Sequence, residues 1–346
     1  MTTPWRRPDR LAERRANLVA RGHILRAVRD FFAASDYVEV DTPALQVSPG
    51  LEPHLRAFAT ILHDPRDGGA QTRYLHTSPE FAMKKLLAGG MTRIWQLAHV
   101  YRDGERGATH HPEFSMLEWY RVGATYCDLM DECEILLRRV QDAAGAETLR
   151  WRGQSADARR PWPHVTVAEA FARHAGIDLL ATTLDPERPD AALLAAAATR
   201  IGLPPHPGDD WETLFFRIFL ERIEPRLGIG APTILYDYPI AMAALSRPKP
   251  DDPRVAERFE LYVCGLELAN AFGELTDPAE QRRRFAADQA RKQALYGETY
   301  PIDEDFLAAL DHGLPECAGI ALGFDRLVML ATGAEHIEEV LWAPVM

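Results

Sequence analysis

The order of apolar and polar positions divides the chain into elements of two periods. From Leu11 to Phe32, apolar residues recur at Leu11, Leu18, Leu25, Val28 and Phe32, with arginine and glutamate on the opposite face, the stripe of an amphipathic helix. Ser35-Asp36 ends it, and Tyr37–Val40 reads as a short strand stopped by Asp41-Thr42-Pro43. Residues 44–73 read as loop, with Pro49-Gly50 and Asp67-Gly68-Gly69 as turns. A helix then runs through Lys84, Lys85 and Leu87 to Gly89-Gly90. Ser78 is its expected N-cap, with Pro79 at the first position and Glu80 in the first turn.

Period two takes over in Ile94–Arg121, a strand, a polar loop holding Gly104 and Gly107, and a second strand. Alternate strand residues share a face, so Phe114, Met116, Glu118 and Tyr120 lie together, and Arg102 is the last residue before the turn. An arginine, an aromatic plate, a carboxylate and a phenol are thus spread over roughly 20 Å at about 3.3 Å per residue. Such a row suits a long ligand that is anionic, flat and cationic in succession; the alternative is a hairpin with a decorated solvent face.

Residues 125–145 form an acidic helix, Arg152–Pro163 reads as a linker or exposed loop, and 164–230 is helical. The strand pattern resumes at Ile234–Pro239. In Arg258–Leu275, a hairpin turning at Cys264-Gly265 pairs Tyr262 with Glu267 and Glu260 with Ala269. Glu260 and Glu267 then share a face, either as two solvated glutamates or as a site for Mg²⁺ bridged to phosphate oxygens. Strict alternation turns Glu274 to the wrong face, which predicts a bulge near Gly273. After a polar helical segment over 276–311, a strand reaches Gly323 and a helix starts near Phe324 with Arg326 in its first turn. That is an anion site unless Asp325 and Arg326 form a buried pair.

Composition narrows the class. The 346 residues are 47% hydrophobic and 26% charged, the profile of an ordinary globular chain able to bury a core. A net charge of −12 makes nucleic acid a poor partner unless the basic residues are segregated. Arginine greatly outnumbers lysine, which occurs only at Lys84, Lys85, Lys249 and Lys292, a bias read as compositional. Cys127, Cys133, Cys264 and Cys317 show no metal or redox spacing. The N-terminus lacks an apolar signal core, and no apolar run reaches the roughly 18 residues of a membrane span, so the expected place is the cytoplasm.

Several of these stretches, in this order, resemble the motifs of class II aminoacyl-tRNA synthetases of the lysyl type. The first helix, strand and Pro43 resemble motif 1, which implies a homodimer. Tyr101–Glu105, His110–Phe114 and Met116–Tyr120 resemble motif 2, and Ala318–Leu330 resembles motif 3. The resemblance implies an α+β fold, an antiparallel sheet flanked by helices, in one catalytic domain over 1–346 with a helical insertion at about 150–230. It implies ATP and Mg²⁺ and an ATP-dependent amino acid ligase that forms an aminoacyl-adenylate. Catalysis would fall to Arg102 and Arg326; ATP contacts to Arg102, Asp103, Gly104, Glu105, His110, His111, Phe114, Glu260, Leu261, Gly323 and Arg326. Substrate contacts would come from Ser78, Pro79, Glu80, Glu118, Tyr120, Glu267, Asn270, Glu274 and Ala321, and the metal would be held by Glu260 and Glu267. Asp103, Gly104 and His111 depart from the lysyl pattern, which has Asn at the first and third and an acid at the second.

Motif 1 begins within the first dozen residues, which leaves no room for the anticodon-binding barrel of a lysyl-tRNA synthetase. This architecture resembles the elongation factor P lysine ligases, which adenylate (R)-β-lysine and transfer it to a lysine side chain of elongation factor P. Ala321, where lysyl-tRNA synthetases usually have glycine, points the same way, since its methyl would crowd an α-amino group and tolerate a β-amino acid; the missing barrel and the acidic net charge make tRNA an unexpected acceptor. The rivals are a stand-alone lysyl-tRNA synthetase-like enzyme acting on α-lysine, an ammonia-dependent asparagine synthetase, whose pocket should be cationic, and a non-catalytic regulatory paralogue.

Overall fold

The computed structural model describes residues 8–66, 68–186, 188–243 and 245–345. The first seven residues and Asp67, on which the readings of the N-terminus and of one turn rest, lie outside these. Helix α1 (Pro8–Ala34) buries Leu18, Ile24, Val28 and Phe32, the inner face that the helical period marks. The chain reverses at Asp36, whose φ of 58° aspartate tolerates better than most side chains, and enters β1 (Val38–Glu39).

The segment read as loop instead holds β2 (Leu45–Gln46), β3 (Ala59–His63) and β4 (Ala70–Leu75), which form a small separate sheet. Every residue of β3 is exposed, so no buried face wrote an alternation into the sequence. Helix α2 (Glu80–Ala88) starts with Pro79, not Ser78, at the cap position, although the Ser78 hydroxyl still accepts from the Glu80 N–H at 3.0 Å.

Strands β5 (Arg93–Tyr101) and β6 (Glu113–Val122) lead into α3 (Tyr126–Ala143), which opens on a capping box between Thr125 and Asp128. The expected linker begins as a hairpin, β7 (Leu149–Trp151) and β8 (Gln154–Ala156), turning at Arg152 (φ 46°) and Gly153 (φ 76°). An arginine in the left-handed region is a poor turn signal, which hid the hairpin. Strand β9 (His164–Thr166) precedes helices α4 (Val167–Ala175), α5 (Ala191–Arg200) and α6 (Trp211–Ile218), whose core around Phe171, Leu194 and Phe215 continues into Leu235 and Tyr262 of the main sheet.

The remainder is β10 (Thr233–Pro239), β11 (Pro248–Lys249), β12 (Asp252–Val263), β13 (Leu266–Gly273), α7 (Pro278–Tyr296), α8 (Glu304–Gly313), β14 (Cys317–Gly323) and α9 (Phe324–Thr332). The main sheet runs β1-β5-β6-β14-β13-β12-β10-β9, with β11 on β12. Its pairs are antiparallel except β1–β5 and β9–β10. One face packs on α1, α3 and α9 through Trp119, Leu261, Ala271 and Ile320. The other face carries the site and is closed at one end by Met83 and Leu87 of α2 together with Phe285 and Phe306.

A single bulge sets which residues reach that face. The β12–β13 hairpin turns at Cys264 and Gly265, both at positive φ, as a two-residue turn requires. Tyr262 pairs with Glu267 as expected, but Leu261 pairs with Ala269, so Leu268 is the extra residue. Glu260 therefore pairs with Asn270 rather than Ala269, and no bulge is needed at Gly273. Leu268 and Ala269 are buried in succession, while Glu267, Asn270 and Phe272 are only half-buried.

Candidate active site

The register aligns two rows of side chains across four strands. Glu118, Ala321, Asn270 and Glu260 form one; Tyr120, Gly319, Phe272 and Arg258 form the next. Because β14 contributes only Gly319, Ala321 and Gly323, the rows dip in the middle and leave a cavity of about 320 Å³. Volumes of this order hold small-molecule ligands.

At one end lie the arginines. The Arg102 guanidinium packs over the Phe114 ring at 5.2 Å from its centre. It stands 3.9 Å from Glu105, and its buried Nε has no hydrogen-bond partner. A buried unpaired donor is costly, and an anionic ligand would satisfy it. Arg326 donates to the carbonyls of Thr109 (3.3 Å) and Glu267 (2.9 Å) and to His110 Nε2 (2.8 Å). His110 accepts there; burial and the Arg326 charge hold its pKa below the ordinary histidine value. Asp325 does not pair with Arg326. It takes the buried Arg21 and the Ser115 N–H, which leaves the Arg326 guanidinium to the cavity.

At the other end lie the carboxylates. Glu118 accepts from the Ser78 hydroxyl at 2.6 Å and the Tyr120 hydroxyl at 2.8 Å, and is fully buried. Burial, reinforced by the charge of Glu80, pushes its pKa up to about 8. Burial likewise pushes Glu274 up to about 7, against the pull of the Lys84 ammonium. Lys84, itself buried, forms ion pairs with Glu80 and Glu274. Burial pulls its pKa down, but the two carboxylates outweigh this and keep it charged.

These raised values have a thermodynamic consequence. An unfolded glutamate releases its proton near 4.5, whereas Glu118 and Glu274 hold theirs to about 8 and 7. Across that window the folded chain binds more protons, so this contribution to stability falls as pH rises. A cationic ligand favours the ionised forms and must expel those protons. We expect binding of a diammonium amino acid at pH near 6.5 to release protons, and to tighten as pH rises towards 8. Calorimetry in two buffers of different ionisation enthalpy checks it; equal heats in both would contradict it.

Glu260 and Glu267 face the same side. Glu260 Oε2 accepts from Tyr238 (2.6 Å) and Tyr262 (2.5 Å), and Oε1 from Arg258 alone (2.6 Å), so Oε1 keeps a lone pair. Burial and the Glu260 charge push Glu267 up to about 7. Among the described residues no three acidic, histidine or cysteine side chains form a complete metal cage. Two carboxylates nevertheless fit Mg²⁺, which takes its other ligands from phosphates and water.

Of the residues singled out in the sequence, Ser78, Glu80, Arg102, Glu105, His110, Phe114, Tyr120, Glu267, Asn270, Glu274, Ala321, Gly323 and Arg326 line this cavity. Glu118 lies directly behind Ser78 and Tyr120. Pro79, Asp103, Gly104, Glu260 and Leu261 do not line it; the Glu260 carboxylate is held by Arg258, Tyr238 and Tyr262, and Leu261 is buried in the core behind the sheet. His111 is turned away as well. Its Nε2 accepts from the Val345 N–H at 3.1 Å and its Nδ1 lies 2.5 Å from the Glu113 carbonyl, so the ring pins the C-terminal segment. Three charged residues that line or bridge the cavity escaped sequence reasoning. Lys84 stands four residues after Glu80 in a chain nearly without lysine, and Arg258 precedes Glu260 by two on the same strand face; both signals were readable. Glu52 sits in a loop without periodicity and gave none.

The family described as tRNA synthetases class II (D, K and N) matches residues 6–346. The elongation factor P–(R)-β-lysine ligase of Vibrio cholerae serotype O1 is 41% identical over 331 residues, covering 95% of each chain. That of Pectobacterium carotovorum is 41% identical over 342 residues, covering 98% of this chain and 97% of its own, and that of Hamiltonella defensa is 39% identical over 332 residues and 95% of each. The chain therefore belongs to the class II tRNA synthetases of the D, K and N type and, within them, to the elongation factor P–(R)-β-lysine ligase family.

Proposed function

We propose that the protein adenylates (R)-β-lysine with ATP and transfers the β-lysyl group to a lysine side chain of elongation factor P. One observation carries the reading: a single cavity has an unpaired buried arginine nitrogen at one end and a nest of buried glutamates at the other. An anionic head and an ammonium tail on one ligand satisfy both. In the first step the amino acid carboxylate attacks the α-phosphorus, the bond to the β-phosphate oxygen breaks and pyrophosphate leaves. In the second, the acceptor amine attacks the acyl carbon, loses a proton and displaces AMP, forming an amide.

In this reading Arg102 grips both the α-phosphate and the substrate carboxylate, and Phe114, whose ring it packs over, offers a plate for adenine. Arg326, in the first turn of α9, adds its charge to the helix N-terminus for the terminal phosphates. Mg²⁺ held by Glu260 and Glu267 would neutralise phosphate charge. No side chain needs to act as nucleophile; positioning and charge stabilisation suffice. Glu80, Glu118 and Glu274, with Tyr120 and Asn270, hold the ammonium groups. Leu11 and Val19 on α1 and Val38 on β1 are exposed apolar residues, which supports a homodimer through these elements. No helix among the described residues is long and apolar enough to cross a membrane, and we place the enzyme in the cytoplasm.

The test is amino-acid-dependent ATP–pyrophosphate exchange with (R)-β-lysine, α-lysine and aspartate, followed by transfer to elongation factor P. Preference for (R)-β-lysine is expected; preference for aspartate, or no exchange, would overturn the reading. Ala321 pairs with both Glu118 and Asn270, so its methyl lies on the cavity floor between the two ends. Ala321→Gly is expected to shift the preference about tenfold or more towards α-lysine, a difference of roughly 1–3 kcal/mol for a methyl-sized change in a pocket.

A further inference from the structure

We propose that Glu52 is a specificity-determining residue that, with Glu80, brackets the ammonium group nearest the substrate carboxylate. The inference rests on the proposed diamino acid substrate and adds a ligand to its site.

Glu52 lines the cavity from the loop that follows β2, opposite the strand floor. Its carboxylate folds back over Gly50: a Cβ at that glycine would stand 2.8 Å from Glu52 Oε2 and 2.9 Å from Thr77 Oγ1. The loop is held from below by the buried Lys292, whose ammonium donates to the carbonyls of Pro53 (3.0 Å) and Leu55 (2.5 Å). Lys292 is thus spent on these carbonyls and on Glu298 at 3.9 Å, and among the described residues Glu52 forms no ion pair. Glu52 is half-buried, and a carboxylate withdrawn that far from water is ordinarily paired. A carboxylate fixed at a cavity wall without a cation of its own is placed to receive one from a ligand.

Its neighbours set which cation. Burial and the charge of Glu80 push the Glu52 carboxyl above its ordinary range, while Arg102 and Lys292 pull it back. Glu118 and Glu274, at the closed end, also feel Glu80. The contacts agree: Glu80 shares Lys84 with Glu274, meets Glu118 through Ser78 and lines a small recess together with Glu52, so Glu80 links Glu52 to the pair Glu118 and Glu274. An amino acid anchored by its carboxylate at Arg102 brings its proximal ammonium to Glu52 and Glu80, and its terminal ammonium to the closed end. Two carboxylates at the proximal position, on separate elements, select a substrate that carries an amine there over one that lacks it.

The experiment compares Glu52→Gln with the wild type in ATP–pyrophosphate exchange, using (R)-β-lysine as substrate and 6-aminohexanoate, which lacks the proximal amine, as competing ligand. For Glu52→Gln we expect the KM for (R)-β-lysine to rise about tenfold or more, as befits a lost charged hydrogen bond. The inhibition constant of 6-aminohexanoate and the KM for ATP should stay within about twofold, and Glu52→Asp should recover part of the loss. Equal weakening of both amino acid ligands, a raised KM for ATP, or an unchanged KM for (R)-β-lysine would overturn the role of Glu52. Absence of exchange in the wild type would instead overturn the proposed substrate.

Discussion

Arg102→Ala is expected to lower kcat/KM for adenylate formation by about 10²–10³-fold, the usual cost of deleting one preorganised donor at a site of developing charge. The residue touches little else. Its side chain meets the Phe114 ring and stands 3.9 Å from Glu105, and its Nε is buried without a partner. Removing it should therefore leave the melting temperature almost unchanged. Arg326→Ala provides the contrast. That guanidinium ties the Thr109 and Glu267 carbonyls and His110 together, so its loss should loosen the β5–β6 loop as well as slow the reaction. Arg102→Lys restores charge without the planar fork and should recover only part of the activity. A fall of less than tenfold in Arg102→Ala, in pyrophosphate exchange with saturating ATP, would remove Arg102 from the centre of the mechanism.

What could be read from the sequence and what could not divide along a physical line. The face shared by Phe114, Met116, Glu118 and Tyr120 was legible from the period of a strand alone, which turns Leu117 and Trp119 between them into the core. The turn from β14 into α9 was legible because small residues on one strand face give way to a helix carrying Arg326. The β2–β4 sheet was not, because an exposed strand such as β3 leaves no apolar signature. Nor was the bulge at Leu268. Reading strands as uniform placed Glu260 opposite Ala269 and needed a correction at Gly273; one extra residue nearer the turn brings Asn270, Phe272 and Glu274 to the site side together. His111 shows the limit of motif matching. Its place in the loop marked it for ATP, yet it lies at 2% exposure beneath the C-terminal segment.

Gly319→Ala should be the most damaging small substitution in the amino acid pocket. Gly319 stands directly opposite Tyr120 in the β14–β6 register, and a Cβ there would lie 2.2 Å from Tyr120 Cε1 and 2.3 Å from Glu274 Oε1. Neither neighbour is free to retreat. The Tyr120 ring is buried with its hydroxyl on Glu118, and Glu274 is ion-paired to the buried Lys84. The methyl must therefore displace the two groups that line the closed end, so the KM for (R)-β-lysine should rise by about 10²-fold or more. Overpacking of this kind also costs roughly 1–3 kcal/mol of stability, visible as a lower denaturation midpoint. The arginine end lies two strand rows away, near Gly323 and Met116, so the KM for ATP should stay within a few-fold of wild type. That split distinguishes a blocked amino acid pocket from a collapsed active site. If Gly319→Ala instead raised both constants together, the closed end would not be a separate pocket. If it raised neither, the glutamates around Tyr120 would not be where the amino acid binds.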